Sequence, residues 1–366
     1  MKFSCFQTDL LNAINIVQKA VSSKTTLEIL KGILIEVKED SVKLTGYDLN
    51  MAIEIVIEAQ VEEQGKMVLD SRLFGEIVRK LPDATIDFAV KDNFIEINCL
   101  HSNFKLTSYN SEDYPKIPII ENSQKMSFNQ DLFKNLIKQT LFAVSTDETR
   151  PILTGSLLET GNGKMTMVSI DGYRMALKSV NIENIESSKT VIPGKTLSEI
   201  IKILNSSSDQ EAIVEITDKY IAFEIEGIRL ISKILEGEFI KYEQIIPTEF
   251  NTQIKINAIE LHKAIDRASL MAREMRSATV KMSFQDQYVE ISSISEVGSV
   301  KDKVNIILDG ERLEIGFNPR YLSDVLRVIE SEEVVLELSS SLSPCIIRPT
   351  NDDQYTYLVL PVRMSS

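Results

Sequence analysis

Residues 71–82 read SRLFGEIVRKLP, and the chain writes the same pattern twice more, as GKTLSEIIKIL from Gly194 and PRYLSDVLRVI from Pro319. In each copy a base is followed by an acid four residues on and by a second base seven on: Arg72, Glu76, Arg79; Lys195, Glu199, Lys202; Arg320, Asp324, Arg327. Positions i, i+4 and i+7 share one face of an α-helix, so each copy predicts a helix with a charged stripe opposite its apolar residues. The whole chain carries 54 acidic against 40 basic residues, a net charge of −14. Two readings of the retained basic pairs stand side by side. One is local, an intrahelical ladder of ion pairs. The other is external: a chain that is acidic in sum can be locally basic on one face, and that distribution then decides its partner.

Other landmarks recur at the same spacing. Arg72 to Lys195 is 123 residues and Lys195 to Arg320 is 125. An acid-led helical pattern appears as FQTDLLNAINIVQKAV from Phe6, FNQDLFKNLIKQTLFAV from Phe128 and INAIELHKAIDRASLMA from Ile256, and its acids Asp9, Asp131 and Glu260 are 122 and 129 apart. Ile29-Leu30-x-Gly32-x-Leu34 returns 123 residues later as Ile152-Leu153-x-Gly155-x-Leu157. Agreement among independent landmarks predicts a threefold repeat of roughly 120 residues per unit.

Between the helices, alternation of apolar and polar residues predicts strands: MAIEIVIEA (51–59), ATIDFAVKDNFIEINC (84–99), EAIVEITDKYIAFEIEG (211–227) and VKMSFQDQYVEISS (280–293). Turn sequences at Lys91-Asp92-Asn93 and Thr160-Gly161-Asn162-Gly163 separate hairpin partners. Each repeat therefore reads as helix, strands, helix, strands: an α+β unit with two helices packed on antiparallel sheets. The proline-bearing stretches DYPKIPIIENSQ (113–124) and KYEQIIPTEFN (241–251) mark the joins, giving domains at 1–121, 122–249 and 250–366.

With 366 residues, 43% apolar and 26% charged, the chain has the composition of a soluble globular protein with room for several cores. Three scattered cysteines, Cys5, Cys99 and Cys345, offer neither a disulfide framework nor a CxxC metal pair. No stretch approaches the ~20 apolar residues of a membrane span, and the start MKFSCFQTDLLNAI lacks a signal-peptide core. Enzyme motifs fail on inspection. TGNGKM resembles a phosphate loop, but Leu158 stands where the first glycine is required and Met165 where Ser or Thr is. The two histidines, His101 and His262, sit outside any GxSxG or HExxH frame. No catalytic, cofactor-binding or metal-ligating residue is assigned.

The order of MKF, TLEIL, LTGYDLNM, IDGYRMA (170–176), EIGFNPRYLSDVL and the terminal YLVLPVRM (357–364) closely resembles the bacterial DNA polymerase III β subunit family, from Met1 to Met364. The resemblance implies three domains of the DNA clamp fold and two chains closing head to tail into a ring, with sheets outside and helices lining the hole. It implies a non-enzymatic processivity factor, cytoplasmic and nucleoid-associated during replication, that encircles double-stranded DNA. Its implied partners are itself, DNA polymerases, clamp loader subunits and other replication and repair proteins carrying a clamp-binding motif, with no cofactor and no membrane. Under this arrangement Arg72, Arg79, Lys195, Lys202, Arg320 and Arg327 face the DNA, with Lys24 and Arg150 in loops that touch it.

Ring geometry agrees with two chains. Helices packed ~9 Å apart give six of them a circle of roughly 17 Å across and twelve a circle of roughly 34 Å, which after helix bulk of ~10 Å leaves about 24 Å. A duplex with grooves ~8 Å deep on either side of its stack, roughly 20 Å wide, passes only the second.

Matching stretches also imply a pocket for short apolar peptides, formed by Leu153, Ile170, Gly172, Tyr173, Arg174, Met175, Ile240, Ile245, Asn318, Tyr321 and the tail Leu358, Val359, Leu360, Pro361, Val362 and Arg363. Tyr173, Ile240 and Pro344 depart from common family usage, where His, Pro and Ser are frequent. For the dimer seam the resemblance points to Phe104 and Leu106 meeting Leu270 and Met271. Two other readings remain beside the clamp: a peptide-binding scaffold that does not encircle DNA, and a repeat-built enzyme with an inter-domain active site.

Overall fold

The computed structural model describes residues 1–22, 24–91, 93–183, 186–205, 210–272 and 278–364. Six α-helices lie among them: α1 (Gln7–Val17), α2 (Ser71–Lys80), α3 (Gln130–Thr140), α4 (Gly194–Ile203), α5 (Ala258–Ala272) and α6 (Pro319–Leu326). They are the two helices expected in each repeat. The apolar spacing explains them: Leu10, Ala13, Ile14 and Val17 are all buried on α1, and Leu261, Ala264, Ile265 and Ala268 on α5. At the start of α2 the Asp70 carboxylate accepts from the Leu73 N–H at 2.8 Å, and at α6 Asn318 accepts from the Arg320 N–H at 3.0 Å.

The helix starts Gln7, Gln130 and Ala258 are 123 and 128 residues apart, so the acid landmark was one residue out of register at each step. An acid interacts favourably with the helix dipole anywhere in the first turn, whereas a buried side chain has only one place. Leu10, Phe133 and Leu261, each at most 1% exposed, hold that place in the three repeats.

Contacts group the chain into two compact units, residues 1–130 with 202–234, and residues 131–201 with 235–366. The first unit holds a five-stranded and an eight-stranded sheet, and the second a continuous twelve-stranded run, all antiparallel. The expected strands are present, including Met51–Glu58, Thr85–Lys91 with Phe94–Cys99, Glu211–Ile216 with Tyr220–Ile225, and Val280–Phe284 with Tyr288–Ser295. Asp92 of the first predicted turn lies outside the described residues. The second turn has Gly161, Asn162 and Gly163 at φ 139°, 51° and 72°, the left-handed conformations that glycine and asparagine tolerate best.

Sheets run on from one repeat to the next. In the first unit Ile228–Lys233 pairs with Met51–Glu58, and in the second Tyr355–Val359 pairs with Arg174–Asn181. The second repeat thus supplies strands to both units, which is why contact density does not follow the repeat boundaries. The recurring glycine of the Ile-Leu-x-Gly-x-Leu landmark has the same cause in both copies. A Cβ on Gly32 would lie 2.4 Å from Val68 Cγ1, and one on Gly155 would lie 2.4 Å from the Ile192 carbonyl oxygen. Each sits where a neighbouring strand passes too close for a side chain.

In the first unit α1 packs against α2 and the strands Ser41–Tyr47 and Met51–Glu58; in the second α5 packs against α6 and the strands Tyr288–Ser295 and Gly298–Gly310. Buried Phe74, Ile77 and Val78 on α2, and Leu322, Val325 and Leu326 on α6, turn the opposite faces of these helices to solvent. Those solvent faces carry the bases of the charged stripes.

Candidate functional site

All six stripe bases are exposed: Arg72 and Arg79 on α2, Lys195 and Lys202 on α4, Arg320 on α6 and Arg327 at its C-cap. On α2, Arg72 and Glu76 form no ion pair among the described residues, and the Arg79 guanidinium donates to the Asn15 side-chain oxygen on α1 at 3.2 Å. On α6, Arg320 and Arg327 approach Asp324 no closer than 3.9 Å. Their side chains are 80% and 60% exposed, while that of Asp324 is 18% exposed. The Asp324 carboxylate is turned inward and receives Arg174 Nη1 at 2.7 Å. A tight surface ladder is therefore absent on α2 and displaced on α6, and exposed pairs of this kind contribute only about 0.2–1 kcal/mol. Lys24 is exposed. Arg150 is exposed too, but its guanidinium flanks the backbone of Gly172, where a Cβ would lie 3.4 Å from both Nη atoms.

The expected pocket residues converge in the second unit. Leu153, Ile170, Met175 and Leu358 are buried in one apolar cluster with Leu157, Val168, Tyr242 and Ile346, flanked by Ile152, Leu177, Phe239 and Ile246. Strand register explains the meeting: Met175 lies opposite Leu358, which lies opposite Ile346 on its other side. Val359 is the exception. Strand alternation sends it to the other face of the sheet, into the cluster of Tyr355, Tyr357 and Phe317. It belongs to that core and not to the pocket floor.

Four of the other expected pocket residues are apolar and partly exposed. Tyr173, Ile240, Ile245 and Leu360 are 59, 38, 40 and 37% exposed. Two backbone bonds fix the tail that presents Leu360. Its own N–H donates to the Tyr173 carbonyl at 2.9 Å, and the Val362 N–H donates to the Gly316 carbonyl at 2.8 Å. Pro361 and Val362 are half-buried and Arg363 is exposed.

Arg174 organises this region. Its side chain is 6% exposed, donating from Nε to Asp171 at 3.0 Å, from Nη1 to Asp324 at 2.7 Å and from Nη2 to the Phe142 carbonyl at 2.7 Å. The guanidinium lies 4.5 Å from the Tyr321 ring centroid, and Tyr321 stacks on Tyr173 at 6.2 Å. Asp171 also accepts the backbone N–H groups of Tyr173 and Arg174 through Oδ1, closing a tight turn in which Gly172 has φ 94°. Sequence reading placed Arg174, Tyr173 and Tyr321 here but missed Asp171 and assigned Asp324 to the charged stripe. The acid spacing alone held no signal of its partner 150 positions earlier.

The seam candidates occupy two separate surfaces. Phe104 is 36% exposed and Leu106 half-buried on Ser102–Thr107, an edge strand of the five-stranded sheet, where unpaired backbone groups favour strand addition. Leu270 is 55% exposed near the end of α5, and the Met271 sulfur lies 3.5 Å from the Cβ position of Gly298. No group of metal-ligating side chains is assembled among the described residues.

Comparison with known proteins agrees with this architecture throughout. Family models of the DNA polymerase III beta subunit match in chain order, the N-terminal domain at residues 1–118, the central domain at 127–241 and the C-terminal domain at 243–363. A beta sliding clamp of Bacillus subtilis is 38% identical over 377 residues, covering 99% of this chain and all of the relative. The crystal structure of a DNA polymerase sliding clamp from Bacillus subtilis superposes with TM-score 0.96 at 37% identity, each chain wholly covered. A Pseudomonas aeruginosa sliding clamp bound to griselimycin superposes with TM-score 0.94 at 26% identity, again over both whole chains.

Proposed function

The chain belongs to the DNA polymerase III beta subunit family, the bacterial sliding clamps, which are non-enzymatic processivity factors, and from that premise we propose how its own residues do the work. Two copies close head to tail into a ring around duplex DNA. The edge strand bearing Phe104 and Leu106 meets the α5 surface bearing Leu270 and Met271. Three domains, at 1–121, 122–249 and 250–366, each present one stripe of bases to the hole. The ring works in the cytoplasm on nucleoid DNA.

The observation that carries this reading is the threefold recurrence of exposed basic pairs, at 72/79, 195/202 and 320/327, in a chain of net charge −14. Twelve such bases in a dimer position the duplex without gripping one site. Phosphate contacts carry no sequence information and exchange with counterions, so the ring slides, and topology retains it. Acidic surroundings limit the positive potential to the bore.

The apolar cluster below Leu360 then takes short motifs of polymerases, clamp loader subunits and repair proteins. Burial of two or three apolar side chains is worth ~1.5–3 kcal/mol each. Much of that is offset by the cost of association, which puts a free peptide near roughly micromolar affinity. A scaffold that never encircles DNA would need this pocket but not the threefold charge pattern.

Light scattering tests the assembly. A particle of twice the 41.3 kDa chain mass is expected at micromolar concentration, shifted toward monomer by Phe104→Asp or Leu270→Asp. A strict monomer across that range rules the ring out.

A further inference from the structure

The three repeats are not equivalent at the start of their first helix, and the difference opens a groove in the first unit. Phe6 precedes α1, and at the same place before α3 and α5 the chain has Asn129 and Asn257. Phe6 is 61% exposed, so the fold does not use it as core. The strand Met51–Glu58 corresponds to Arg174–Asn181 at a shift of 123. That register sets Val56, 54% exposed, against Ser179, and Glu58 against Asn181. Likewise Asp9, third residue of α1, matches Leu132 of α3. Relative to the second repeat, the first has exchanged two polar positions for apolar ones and carries carboxylates beside them; the third repeat shares the helix acid, as Glu260, but not the aromatic.

These residues line one depression of about 670 Å³, with Phe6, Val56 and Ile57 as its apolar part and Asp9, Asp40 and Glu58 as its charges. Its lining holds no lysine or arginine. Several carboxylates elsewhere in this unit are paired: Glu62 with Lys2, Glu63 with the N-terminal ammonium, and Glu36 and Glu54 with Lys43. Among the described residues no ion pair reaches Asp9, Asp40 or Glu58. The Cys5 thiol in the lining is pushed up to about 12 by burial, with the Asp9 and Asp87 charges adding to it, so it stays a thiol and offers no nucleophile or metal ligand at neutral pH.

We propose that this groove is a second docking site, separate from the pocket below Leu360, for a partner segment in which an apolar side chain is flanked by lysine or arginine. The apolar residue lies against Phe6 and Val56, and the flanking cations answer Asp9, Asp40 and Glu58. Opposite charge across such a surface steers encounter and selects partners, and aromatic residues are enriched at interfaces relative to the rest of the surface. The asymmetry among repeats matters here. Phe6 is replaced by asparagine in the other two repeats, so a partner held against it engages the first repeat.

The test uses the full-length protein and the labelled peptide acetyl-Lys-Lys-Leu-Phe-Lys-Lys-amide, with acetyl-Glu-Glu-Leu-Phe-Glu-Glu-amide as its charge-reversed counterpart. In methyl NMR the basic peptide should shift the Val56 and Ile57 resonances and the acidic one should not. Phe6→Asn, which installs the residue of the other two repeats, and Glu58→Lys should each weaken binding at least tenfold, and raising salt from 0.05 to 0.5 M should weaken it further. Both variants should keep the wild-type unfolding midpoint and wild-type affinity for a peptide that enters the Leu360 pocket, which separates loss of the groove from loss of the fold. The inference is overturned if millimolar basic peptide leaves the Val56 and Ile57 methyls unmoved, or if both peptides bind alike. It is also overturned if Phe6→Asn alters self-association while leaving peptide binding intact, because the groove's occupant is then a second copy of the chain.

Discussion

Replacement of Arg174 should be costly in the second unit, and the structure sets the size of the effect. It stands between Asp171 and Asp324 with a 6% exposed side chain and a third bond to the Phe142 carbonyl. Arg174→Met removes the cation these two carboxylates share, and breaking a buried pair on one side costs about 3–5 kcal/mol. Asp324→Asn is milder. Arg174 keeps Asp171 and the Phe142 carbonyl, and asparagine still offers an acceptor, so the cost is that of weakening one charged hydrogen bond, about 1–2 kcal/mol. In the double variant the uncompensated carboxylate left by Arg174→Met is partly relieved, so its cost should fall at least about 1 kcal/mol below the sum of the two. Urea unfolding of the four proteins, followed by a probe in the second unit, measures this directly. Peptide affinity should drop with Arg174→Met as well, because the Tyr173 carbonyl that anchors Leu360 sits in the turn Arg174 holds. An Arg174→Met cost below about 1 kcal/mol, or additivity within about 0.5 kcal/mol, refutes the claim that this ion pair organises the site.

Three further outcomes are expected. Leu360→Asp, exposed enough to fold normally, should weaken binding of a clamp-motif peptide at least tenfold by fluorescence anisotropy, and unchanged binding would place the pocket elsewhere. Burial pushes the Glu36 carboxyl up, but hydrogen bonds from Lys66 and Lys43 outweigh it and hold the group below the usual range. Its contribution to stability is therefore present above the unfolded-state value near ~4.3 and is lost as pH falls through the folded value; thermal unfolding between pH 7 and 3 should show an acid limb that Glu36→Gln flattens. Replacing Arg79, Lys202 and Arg327 together by Glu should leave mass and unfolding midpoint unchanged yet abolish loading onto nicked circular DNA, and a variant that loads normally but loses stability would make the stripes a helix-stabilising ladder instead.

Much of this was legible in the chain because the relevant physics is local. Alternation fixed Met51–Glu58 and its partners, and the 3.6-residue period fixed the helices, each needing only neighbours in sequence. Repetition supplied the rest of the architecture, since three copies of a stripe signal more than one. What escaped was non-local or degenerate. Asp324 reads as a surface acid because its spacing from Arg320 is right for a ladder, and only the folded chain turns it toward Arg174. The first-helix register slipped by one because an acid is tolerated at several positions of a first turn. Val359 sat in a stretch that matched as a block, although strand alternation must divide such a block between two faces.

The central claim is that the protein holds DNA by enclosing it. Labelled wild-type protein, loaded by a bacterial clamp loader onto a nicked circular plasmid and isolated with it by gel filtration, tests that most directly when the circle is then cut once with a restriction enzyme. Enclosure predicts that the protein stays with intact circles at salt that dissolves ordinary phosphate contacts and leaves within minutes of linearisation. Equal retention on circular and linear DNA, or loss from both on raising salt, would contradict it.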